Sequence, residues 1–302
     1  MTNPTIIDGT FLAMKKIEAV REQVEKICSQ SLRAPKLAVI LVGDNEASKI
    51  YVRNKEKKAK ECFIDSETII LPSDVSKEEL EETIFKLNLD EKVDAILLQL
   101  PLPQNLISDS FDEKYFLSLI SPSKDVDCLT SFNQGMVFNG SSSIYPCTPQ
   151  GVLNLIDFTY SDLDTSISFD SIKSANLAGK SALIVGRSLL VGKPLSLMLL
   201  NRNATVTMAH SKTQNLQDLV KDKDIIVTAT GYPKLFNSQN VKDGAILIDV
   251  GINKLENGKL VGDLDFESFK NKDCYITPVP GGVGPMTIAS LMENVVKLYK
   301  NR

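Results

Sequence analysis

The fold is decided by the stretch Ala182-Leu-Ile-Val-Gly-Arg-Ser-Leu-Leu-Val-Gly-Lys-Pro-Leu195. It opens with a short apolar run, as expected of a strand that is buried on both faces in a parallel sheet. Gly186 permits a sharp turn, Gly192 lets backbone approach closely, and Pro194 suits the first turn of a helix. Free N–H groups and the helix dipole both favour an anion at such a helix start. The stretch therefore predicts a pyrophosphate site between a strand and a helix.

The glycines are not spaced as in the usual dinucleotide-binding pattern. The chain has Gly186-x-Ser188-x-x-x-Gly192 in place of G-x-G-x-x-G, so an ordinary strand–turn–helix corner stays an alternative. A second strand, Ala204–Ala209, is expected from its β-branched content. Where an NAD-binding unit has an acidic residue, the chain has His210-Ser-Lys212. With Arg187 in the turn, these hydroxyl and cationic groups favour a 2′-phosphate, and we predict NADP as the cofactor.

The composition excludes several classes of function. At 302 residues and 43% apolar content, the chain is long enough for two domains with buried cores. A net charge of −4 gives no electrostatic case for nucleic acid or a membrane surface as a partner. No apolar run approaches the ~20 residues of a membrane helix, and Met1–Gly9 lacks the features of a signal peptide. Five cysteines without a C-x-x-C pair indicate reduced thiols, so we expect a cytoplasmic protein.

The chain contains one histidine, His210. A multi-histidine zinc site is therefore impossible, and we predict no metal. A Ser-His-Asp hydrolase would have to use this histidine, which the strand pattern places at the cofactor ribose. An ordinary surface side chain is the alternative. Proton transfer then falls to lysine, aspartate, glutamate or tyrosine.

Strand and helix patterns alternate along the first half, which predicts βα units around a mostly parallel sheet. Helices are expected at 11–29, 47–62, 77–87, 151–158 and 287–299, and strands at 36–43, 68–71, 93–100, 225–230 and 245–250. Pro146-Cys-Thr-Pro149 marks a hinge. The polar stretch Thr159–Asn176 is typical of a surface loop, and a dinucleotide unit follows over about 177–275.

Tyr51 and Lys55 lie four residues apart on the lysine-rich helix and share one face. That face continues with Ala59 and Cys62, so Lys55 is the one cation on an uncharged stripe. Desolvation there would lower its proton affinity and make it a useful acid or base. The alternative is a solvated lysine face on which Lys55 only extends its amine to water.

Three further places carry candidate groups. Gln99 ends an apolar strand, where ligands gather in open α/β sheets, although it can equally cap the strand. Lys124-Asp-Val-Asp127 brings two carboxylates that could hold an amide-like heterocycle or serve ordinary turn chemistry. Pro278–Thr287 holds three glycines and three prolines, which would let backbone contact a flat ligand, or form a structural connector.

Taken together, these segments resemble the family of bifunctional methylenetetrahydrofolate dehydrogenase/cyclohydrolases. The matching segments follow the family's order over nearly the whole chain: Tyr51-Val-Arg-Asn-Lys55 with Lys57, Leu98-Gln-Leu-Pro-Leu-Pro103, Lys124-Asp-Val-Asp127, Pro146-Cys-Thr-Pro-Gln-Gly151, Val185-Gly-Arg-Ser188, His210-Ser-Lys212 and Pro278–Thr287. Each is modest evidence alone, and all of them in register are highly specific.

The resemblance implies two α/β domains with a cleft between them, the C-terminal one a Rossmann-type dinucleotide-binding domain. The N-terminal catalytic and folate-binding domain would cover 1–148, with the C-terminal helix of about 286–302 packed back onto it. The NADP-binding domain would cover 149–285. A homodimer is expected from the family alone.

The resemblance also implies an activity. Hydride would pass from 5,10-methylenetetrahydrofolate to NADP⁺, and water would convert the methenyl product to 10-formyltetrahydrofolate, with Lys55 handling protons. The implied catalytic residues are Tyr51, Lys55, Gln99 and Asp127. The implied substrate site holds these four together with Leu100, Pro101, Gly281, Gly282 and Pro285. The implied cofactor site holds Gly186, Arg187, Ser188, Gly192, Pro194, His210, Ser211, Thr230, Gly231, Ile252, Gly284 and Thr287.

Two departures from the family pattern stand out. Cys128 follows the aspartate loop where the family usually has glycine, which would alter the backbone there but keep both carboxylates. The polar stretch Thr159–Asn176 is longer than the usual connector, and added length in a surface connection costs little.

Two other functions remain possible at this point. The first is a monofunctional dehydrogenase of the same fold, linked to NAD or NADP. Lys55 argues against a monofunctional enzyme, and the pair Arg187 and Ser211 argues against NAD. The second is a non-catalytic redox sensor that binds NADP. The presence of Tyr51, Lys55, Gln99 and Asp127 together disfavours the sensor.

Overall fold

The structure is a computed structural model that describes residues 3–30, 32–107 and 112–302. Helices and strands alternate, as predicted for an α/β protein. The helices are α1 (Gly9–Ser29), α2 (Glu46–Glu61), α3 (Lys77–Leu89), α4 (Glu113–Ser118), α5 (Ser131–Phe138), α6 (Cys147–Thr159), α7 (Gly192–Leu200), α8 (Leu216–Leu219) and α9 (Val283–Lys300). The strands are β1 (Thr5–Ile6), β2 (Lys36–Val42), β3 (Asp65–Leu71), β4 (Ala95–Leu98), β5 (Ser181–Val185), β6 (Thr205–Ala209), β7 (Ile225–Thr228), β8 (Ala245–Asp249), β9 (Asn253–Lys254), β10 (Leu260–Val261) and β11 (Cys274–Ile276).

The chain divides into two compact units. We call the described residues of Ile17–Cys147 and Ile288–Arg302 the three-stranded unit, and those up to Lys16 together with Thr148–Thr287 the six-stranded unit. The predicted N-terminal domain of 1–148 included the first residues of the chain. The structure groups the described residues up to Lys16 with the six-stranded unit, in which β1 pairs with β11.

The six-stranded sheet has the order β1-β11-β8-β7-β5-β6, and every pairing in it is parallel. β5, β7 and β8 are almost wholly buried apolar strands, as expected of a parallel sheet covered on both faces. The chain runs from β5 to β6 on one side and then returns to place β7 on the other. This reversal of strand order marks the point where open α/β sheets bind ligands, at the carboxyl ends of the strands.

The three-stranded unit is built on the parallel sheet β3-β2-β4. Its central strand β2 is buried along nearly its whole length and packs with α3 and β4 around Ile40, Ile84 and Ile96. An isolated parallel bridge between Ile96 and Asp125 carries the aspartate loop alongside β4. The sheet therefore fixes the position of the residues that follow β4.

Cys128 and the long polar connector, the two departures from the family pattern, both have defined environments in the structure. Cys128 takes a left-handed backbone with φ of 57°, a conformation that glycine adopts without strain, and its buried thiol donates to the carbonyl of Ile144. The polar connector contains one short turn of 3₁₀ helix, Phe169–Ser171. Lys16, which is 1% exposed, lies with its ammonium 5.1 Å from the Phe169 ring. The connector thus packs on the start of α1.

Two boundaries differ from the sequence prediction. The closing helix begins at Val283, four residues before the predicted start, because Pro285 fits within a first helical turn. The strand expected at 93–100 is confined to Ala95–Leu98. Within the described residues, we find no helix that combines the length and apolar character needed to cross a membrane.

Candidate active site

Helix α2 presents Lys55 toward the sheet of the three-stranded unit. The helix starts at a capped end, where the Asn45 side chain accepts a hydrogen bond of 3.0 Å from the Ser48 N–H. Val52 and Ala59 on its inner face are 3% and 0% exposed. Lys55 lies between them along the helix and is half-buried.

The ammonium of Lys55 is held by Gln99. Its Nζ donates to Gln99 Oε1 at 2.8 Å, and Gln99 Nε2 donates to the Leu100 carbonyl at 2.6 Å. The second bond orients the amide, so its oxygen points at the lysine. Gln99 also extends β4, because its backbone N–H donates to the Ile40 carbonyl. Lys55 therefore does not reach freely into water.

The surroundings of Lys55 weaken its hold on a proton. Burial lowers the pKa of Lys55, and the negative charge of Asp127 and the Cys147 thiol oppose that shift. Desolvation dominates because it disfavours the charged ammonium. A lysine with lowered pKa beside an oriented acceptor is suited to taking up and giving back a proton.

The two carboxylates of the aspartate loop have different environments. Asp125 is 2% exposed and accepts hydrogen bonds from the N–H groups of Leu129 and Thr130 and from the Asn133 amide. Burial raises the pKa of Asp125 while these bonds oppose the rise. Asp125 thus shapes the turn. Asp127 is half-buried and, within the described part of the chain, accepts one long bond of 3.4 Å from the Cys147 N–H, which leaves acceptor capacity for a ligand.

Lys124 also has a structural environment. Its side chain donates to the carbonyls of Leu87 and Asp90. Burial lowers the pKa of Lys124. Of the four residues Lys124-Asp-Val-Asp127, only the last leaves a charged group open to the site.

Two polar residues around Asp127 were not predicted as site residues. Cys147 is 2% exposed, and its charge registers on the Lys55 pKa. Asn294 in α9 is 0% exposed and donates through Nδ2 to the carbonyls of Val126 and Tyr145 at 2.9 Å. A signal did exist, because Asn294 is an amide between the apolar residues Leu291 and Leu298 on one side of the closing helix. Asn294 thereby holds the two backbone segments that lead to Asp127 and to Cys147.

The other predicted substrate residues fall into two groups. Tyr51 is 42% exposed on α2, Leu100 is half-buried, and Pro101 is exposed, all in the three-stranded unit. Gly281, Gly282 and Pro285 lie in the six-stranded unit. There the N–H of Thr10 donates to the Gly281 carbonyl at 3.0 Å.

A cavity of about 550 Å³ opens at the carboxyl ends of β5 and β7 in the six-stranded unit. It gathers six of the predicted cofactor residues with neighbours from the same strand ends. The lining consists of Val185, Gly186, Arg187, His210, Ser211, Thr213, Leu216, Ala229, Thr230, Gly231, Tyr232 and Leu235. The remaining predicted cofactor residues, Ser188, Gly192, Pro194, Ile252, Gly284 and Thr287, are not part of this lining.

Two glycines make the turn after β5 possible. Gly186 has a φ of 135°, and a Cβ there would lie 2.4 Å from the Ala229 carbonyl oxygen. A Cβ on Gly192 would lie 2.1 Å from the Gly186 carbonyl oxygen. Ser188 closes the turn by accepting a bond from the Val191 N–H at 3.1 Å. Helix α7 therefore starts directly against the strand end, with its first turn close to the cavity.

Three of the remaining cofactor candidates lie after β8, on α9 and at the start of α7. Ile252 is 50% exposed. Thr287 donates to the Val283 carbonyl and shares a hydroxyl contact of 3.1 Å with Thr148. Pro194 is buried in the first turn of α7.

Cationic and hydroxyl side chains surround the cavity. Arg187, Ser211 and Lys212 are exposed at or beside its rim. Among the described residues, its lining includes no aspartate or glutamate. His210 accepts a hydrogen bond from the Lys212 N–H through Nδ1, which leaves Nε2 as the nitrogen that carries a proton in the neutral ring. No group of three or more metal-ligating side chains occurs in the described part of the chain.

The fold defines the class: an α/β protein with a Rossmann-type unit, which carries the cavity, and a second α/β unit, which carries the shielded lysine. Two family models match the chain. The catalytic domain of tetrahydrofolate dehydrogenase/cyclohydrolase matches residues 7–127, and the NAD(P)-binding domain of the same family matches residues 146–302. The chain belongs to the tetrahydrofolate dehydrogenase/cyclohydrolase family.

Relatives and solved structures agree with this assignment. The bifunctional protein FolD of Campylobacter hominis is 47% identical over 98% of each chain. The methylenetetrahydrofolate dehydrogenase/cyclohydrolase FolD of Campylobacter jejuni matches with a TM-score of 0.89 and 44% identity, over 99% of each chain. The Trypanosoma brucei enzyme, solved with NADP and an inhibitor, matches with a TM-score of 0.87 and 34% identity, over 100% of this chain and 99% of that one.

Proposed function

We propose that this chain is an NADP-dependent methylenetetrahydrofolate dehydrogenase that also hydrolyses the methenyl product to 10-formyltetrahydrofolate. The bond of 2.8 Å between Lys55 Nζ and Gln99 Oε1 carries the proposal. A dehydrogenase needs no proton carrier, whereas hydrolysis of a methenyl cation does. The lowered pKa of Lys55 supplies one. The tetrahydrofolate substrate would bind in the three-stranded unit, with Asp127 accepting hydrogen bonds from its pterin ring and Tyr51 stacking on it.

The proton steps follow from the two protonation states of Lys55. As the oxygen of water bonds to the methenyl carbon, the neutral amine of Lys55 takes a proton from that water. The carbon–N5 bond then breaks, and N5 accepts a proton from the Lys55 ammonium while the hydroxyl becomes the formyl oxygen. One proton is released overall. Gln99 keeps one N–H of the amine occupied, which directs the lone pair of Lys55 toward the water.

The cavity residues fit a dinucleotide with a 2′-phosphate. When bound, NADP⁺ would supply the hydride acceptor. Gly186 and Gly192 let the start of α7 pack directly against the turn after β5, which would place the helix N-terminus beside the pyrophosphate. Arg187, His210 and Ser211 would hold the 2′-phosphate. Thr230 and Gly231 would line the ribose side of the cavity. Ser188, Pro194, Ile252, Gly284 and Thr287 remain proposed cofactor contacts, as Leu100, Pro101, Gly281, Gly282 and Pro285 remain proposed substrate contacts.

A matched pair of assays tests the proposal. Lys55→Met should lose most methenyl hydrolysis, since a positioned acid–base group contributes ~10²–10⁴-fold, and it should bind NADP like the parent protein. Lys60→Met, an exposed lysine on the same helix outside the matching segment, is the control. Hydrolysis at the parent rate in Lys55→Met would refute Lys55 as the proton carrier.

The same preparation separates the alternatives. Methenyl hydrolysis measured without nucleotide distinguishes a bifunctional enzyme from a monofunctional dehydrogenase. Turnover of methylenetetrahydrofolate with NADP, compared with NAD, distinguishes an enzyme from a redox sensor and defines the cofactor. A homodimer and a cytoplasmic location remain predictions, the first testable by light scattering.

A further inference from the structure

Two buried carboxylates face each other behind the cofactor cavity. Asp249 ends β8 and is 4% exposed, and Asp263 follows β10 and is 0% exposed. Among the described residues, neither carboxylate has an ion-pair partner. Buried charges without a counter-ion are costly unless hydrogen bonds compensate them. The hydrogen-bond partners of the two carboxylates therefore indicate which parts of the fold they position.

The bonds of Asp263 run to the wall of the cavity. Its Oδ2 accepts from the Thr230 N–H at 2.7 Å and from the Thr230 hydroxyl at 2.8 Å. Its backbone carbonyl accepts from the Leu235 N–H at 2.6 Å. Thr230 and Leu235 are the two ends of a segment that lines the cavity. Asp263 thus holds both ends of that segment, and Asn253 anchors its other oxygen at 3.0 Å.

The Asp249 carboxylate accepts hydrogen bonds from the backbone that follows β8 and from the backbone that follows β10. Its Oδ1 accepts from the N–H groups of Gly251 and Asp263 at 3.0 and 2.9 Å, and Oδ2 accepts from the Leu264 N–H at 2.8 Å. Gly251 directly precedes Ile252, a proposed cofactor contact. Asp249 therefore sets the backbone that leads to Ile252 and also fixes Asp263.

Two glycines make room for the pair in a reciprocal way. A Cβ on Gly251 would lie 2.0 Å from Asp263 Oδ1, and a Cβ on Gly262 would lie 2.0 Å from Asp249 Oδ2. Each carboxylate thus packs on the glycine beside the other. Burial, with a smaller contribution from the charge of Asp263, raises the pKa of Asp249 to about 6. The arrangement keeps two acidic side chains close together, which is unfavourable by itself because like charges repel.

We infer that Asp249 and Asp263 are positioning residues for the nucleotide: they hold Thr230 and the Gly251–Ile252 backbone in the geometry that binds NADP. This inference rests on the proposed function. Neither carboxylate lines the cavity, so they act through the backbone that does. Loss of either carboxylate should make the cavity wall less well ordered and leave the proton transfer by Lys55 unchanged.

The test compares three isosteric variants. Asp249→Asn and Asp263→Asn should each raise the dissociation constant for NADPH, followed by its fluorescence, by about tenfold or more, because an amide nitrogen faces N–H donors in place of an acceptor. Asp224→Asn is the control. Asp224 also accepts from a backbone N–H, that of Ser181, but it lies at the amino end of β7, away from the cavity. It should lose stability and keep NADPH affinity.

Hydrolysis without nucleotide keeps the outcomes apart. If the parent protein neither hydrolyses methenyltetrahydrofolate nor binds NADPH, the proposed function fails. If the parent protein does both and Asp263→Asn binds NADPH equally well, the positioning role is wrong. Should the Asn variants not fold, Asn253→Ala removes one bond to Asp263 from a half-buried position, and unchanged NADPH affinity in it would likewise overturn the inference.

Discussion

In the six-stranded sheet, Asp249 lies at the carboxyl ends of the strands and Asp224 at their amino ends, and the pKa values of the two carboxyl groups are shifted in opposite directions. Asp249 is the last residue of β8, where its carboxylate accepts from the Thr228 hydroxyl at the carboxyl end of β7, and burial raises its pKa to about 6. Asp224 precedes the amino end of β7, where hydrogen bonds from Lys242 and Ser181 outweigh desolvation and lower its pKa to about 2. One sheet thus carries two carboxylates whose ionisation acts on stability in opposite directions.

The shift of Asp249 predicts a loss of stability as pH rises. A carboxyl whose pKa is higher in the folded state stabilises the fold fully below the unfolded pKa of 3.8, and that contribution disappears as pH rises through about 6. The difference amounts to about 3 kcal/mol. The charged group that faces Asp249 is Asp263, and its remaining partners are backbone N–H groups and the Thr228 hydroxyl. Urea unfolding between pH 4 and 7 should show a smaller fall in Asp249→Asn than in the parent, and parallel curves would contradict the shift.

Asp224→Asn should behave in the opposite way. Stability from Asp224 is present above the unfolded pKa of 3.8 and is lost as pH falls toward about 2. The parent protein should therefore lose more stability than Asp224→Asn below pH 4. The same urea series extended to lower pH measures this, and an equal acid response in both proteins would refute it.

The bond between Gln99 and Lys55 predicts a kinetic effect. Gln99→Leu keeps the size of the side chain and removes the acceptor, so the amine loses its fixed direction. A misplaced catalytic group can cost up to about 10²-fold in rate. The kcat for methenyl hydrolysis should fall while NADPH affinity stays at the parent value. Gln30→Leu, at an exposed glutamine of the same unit, serves as the control, and an equal loss in both variants would point to folding instead.

The close approach at Gly192 predicts loss of nucleotide binding. In Gly192→Ala the new methyl would lie 2.1 Å from the Gly186 carbonyl oxygen, so the start of α7 must move away from β5. Overpacking of this kind costs about 1–3 kcal/mol. The variant should unfold at lower urea and bind NADPH weakly. Gly135→Ala, with no atom within 4 Å of the new Cβ, should be neutral or slightly stabilised, and normal NADPH binding by Gly192→Ala would argue against a pyrophosphate site here.

The rim of the cavity predicts cofactor preference. Arg187→Ala removes a cation that we propose for the 2′-phosphate, and a hydrogen bond to a charged group contributes about 1.5–3 kcal/mol. The KM for NADP should therefore rise by roughly tenfold to 10²-fold, with little change in the KM for NAD. Lys173→Ala in the exposed connector is the control. A parallel rise for both nucleotides would assign Arg187 to the pyrophosphate.

Local patterns were enough to predict the α/β class and the Rossmann-type unit. The apolar run of β5, followed by Gly186, Gly192 and Pro194, has its meaning within one short stretch, since strand, turn and helix start are local decisions. Lys55 stood out because helical periodicity places it on an uncharged face. These predictions needed no knowledge of distant partners.

Other features depend on partners far apart in the chain. β1 is only two residues long, and both are exposed. Its place in the sheet comes from pairing with β11 rather than from its own sequence. The bonds of Asp263 to Thr230 bridge residues whose proximity no periodicity reveals. Asn294 was missed for the same reason, because its carbonyl partners lie more than a hundred residues earlier.

The burial of the cysteines gives the molecule a natural labelling site. Cys28, near the end of α1, is exposed, whereas Cys62, Cys128, Cys147 and Cys274 are buried. Since the thiolate is the reactive form, burial that raises the pKa of Cys62 to about 12 and of Cys274 to about 11 makes those thiols unreactive. A maleimide dye should attach to Cys28 in the native protein without prior mutagenesis. Each additional dye taken up by the chain would then report an opening event in the core.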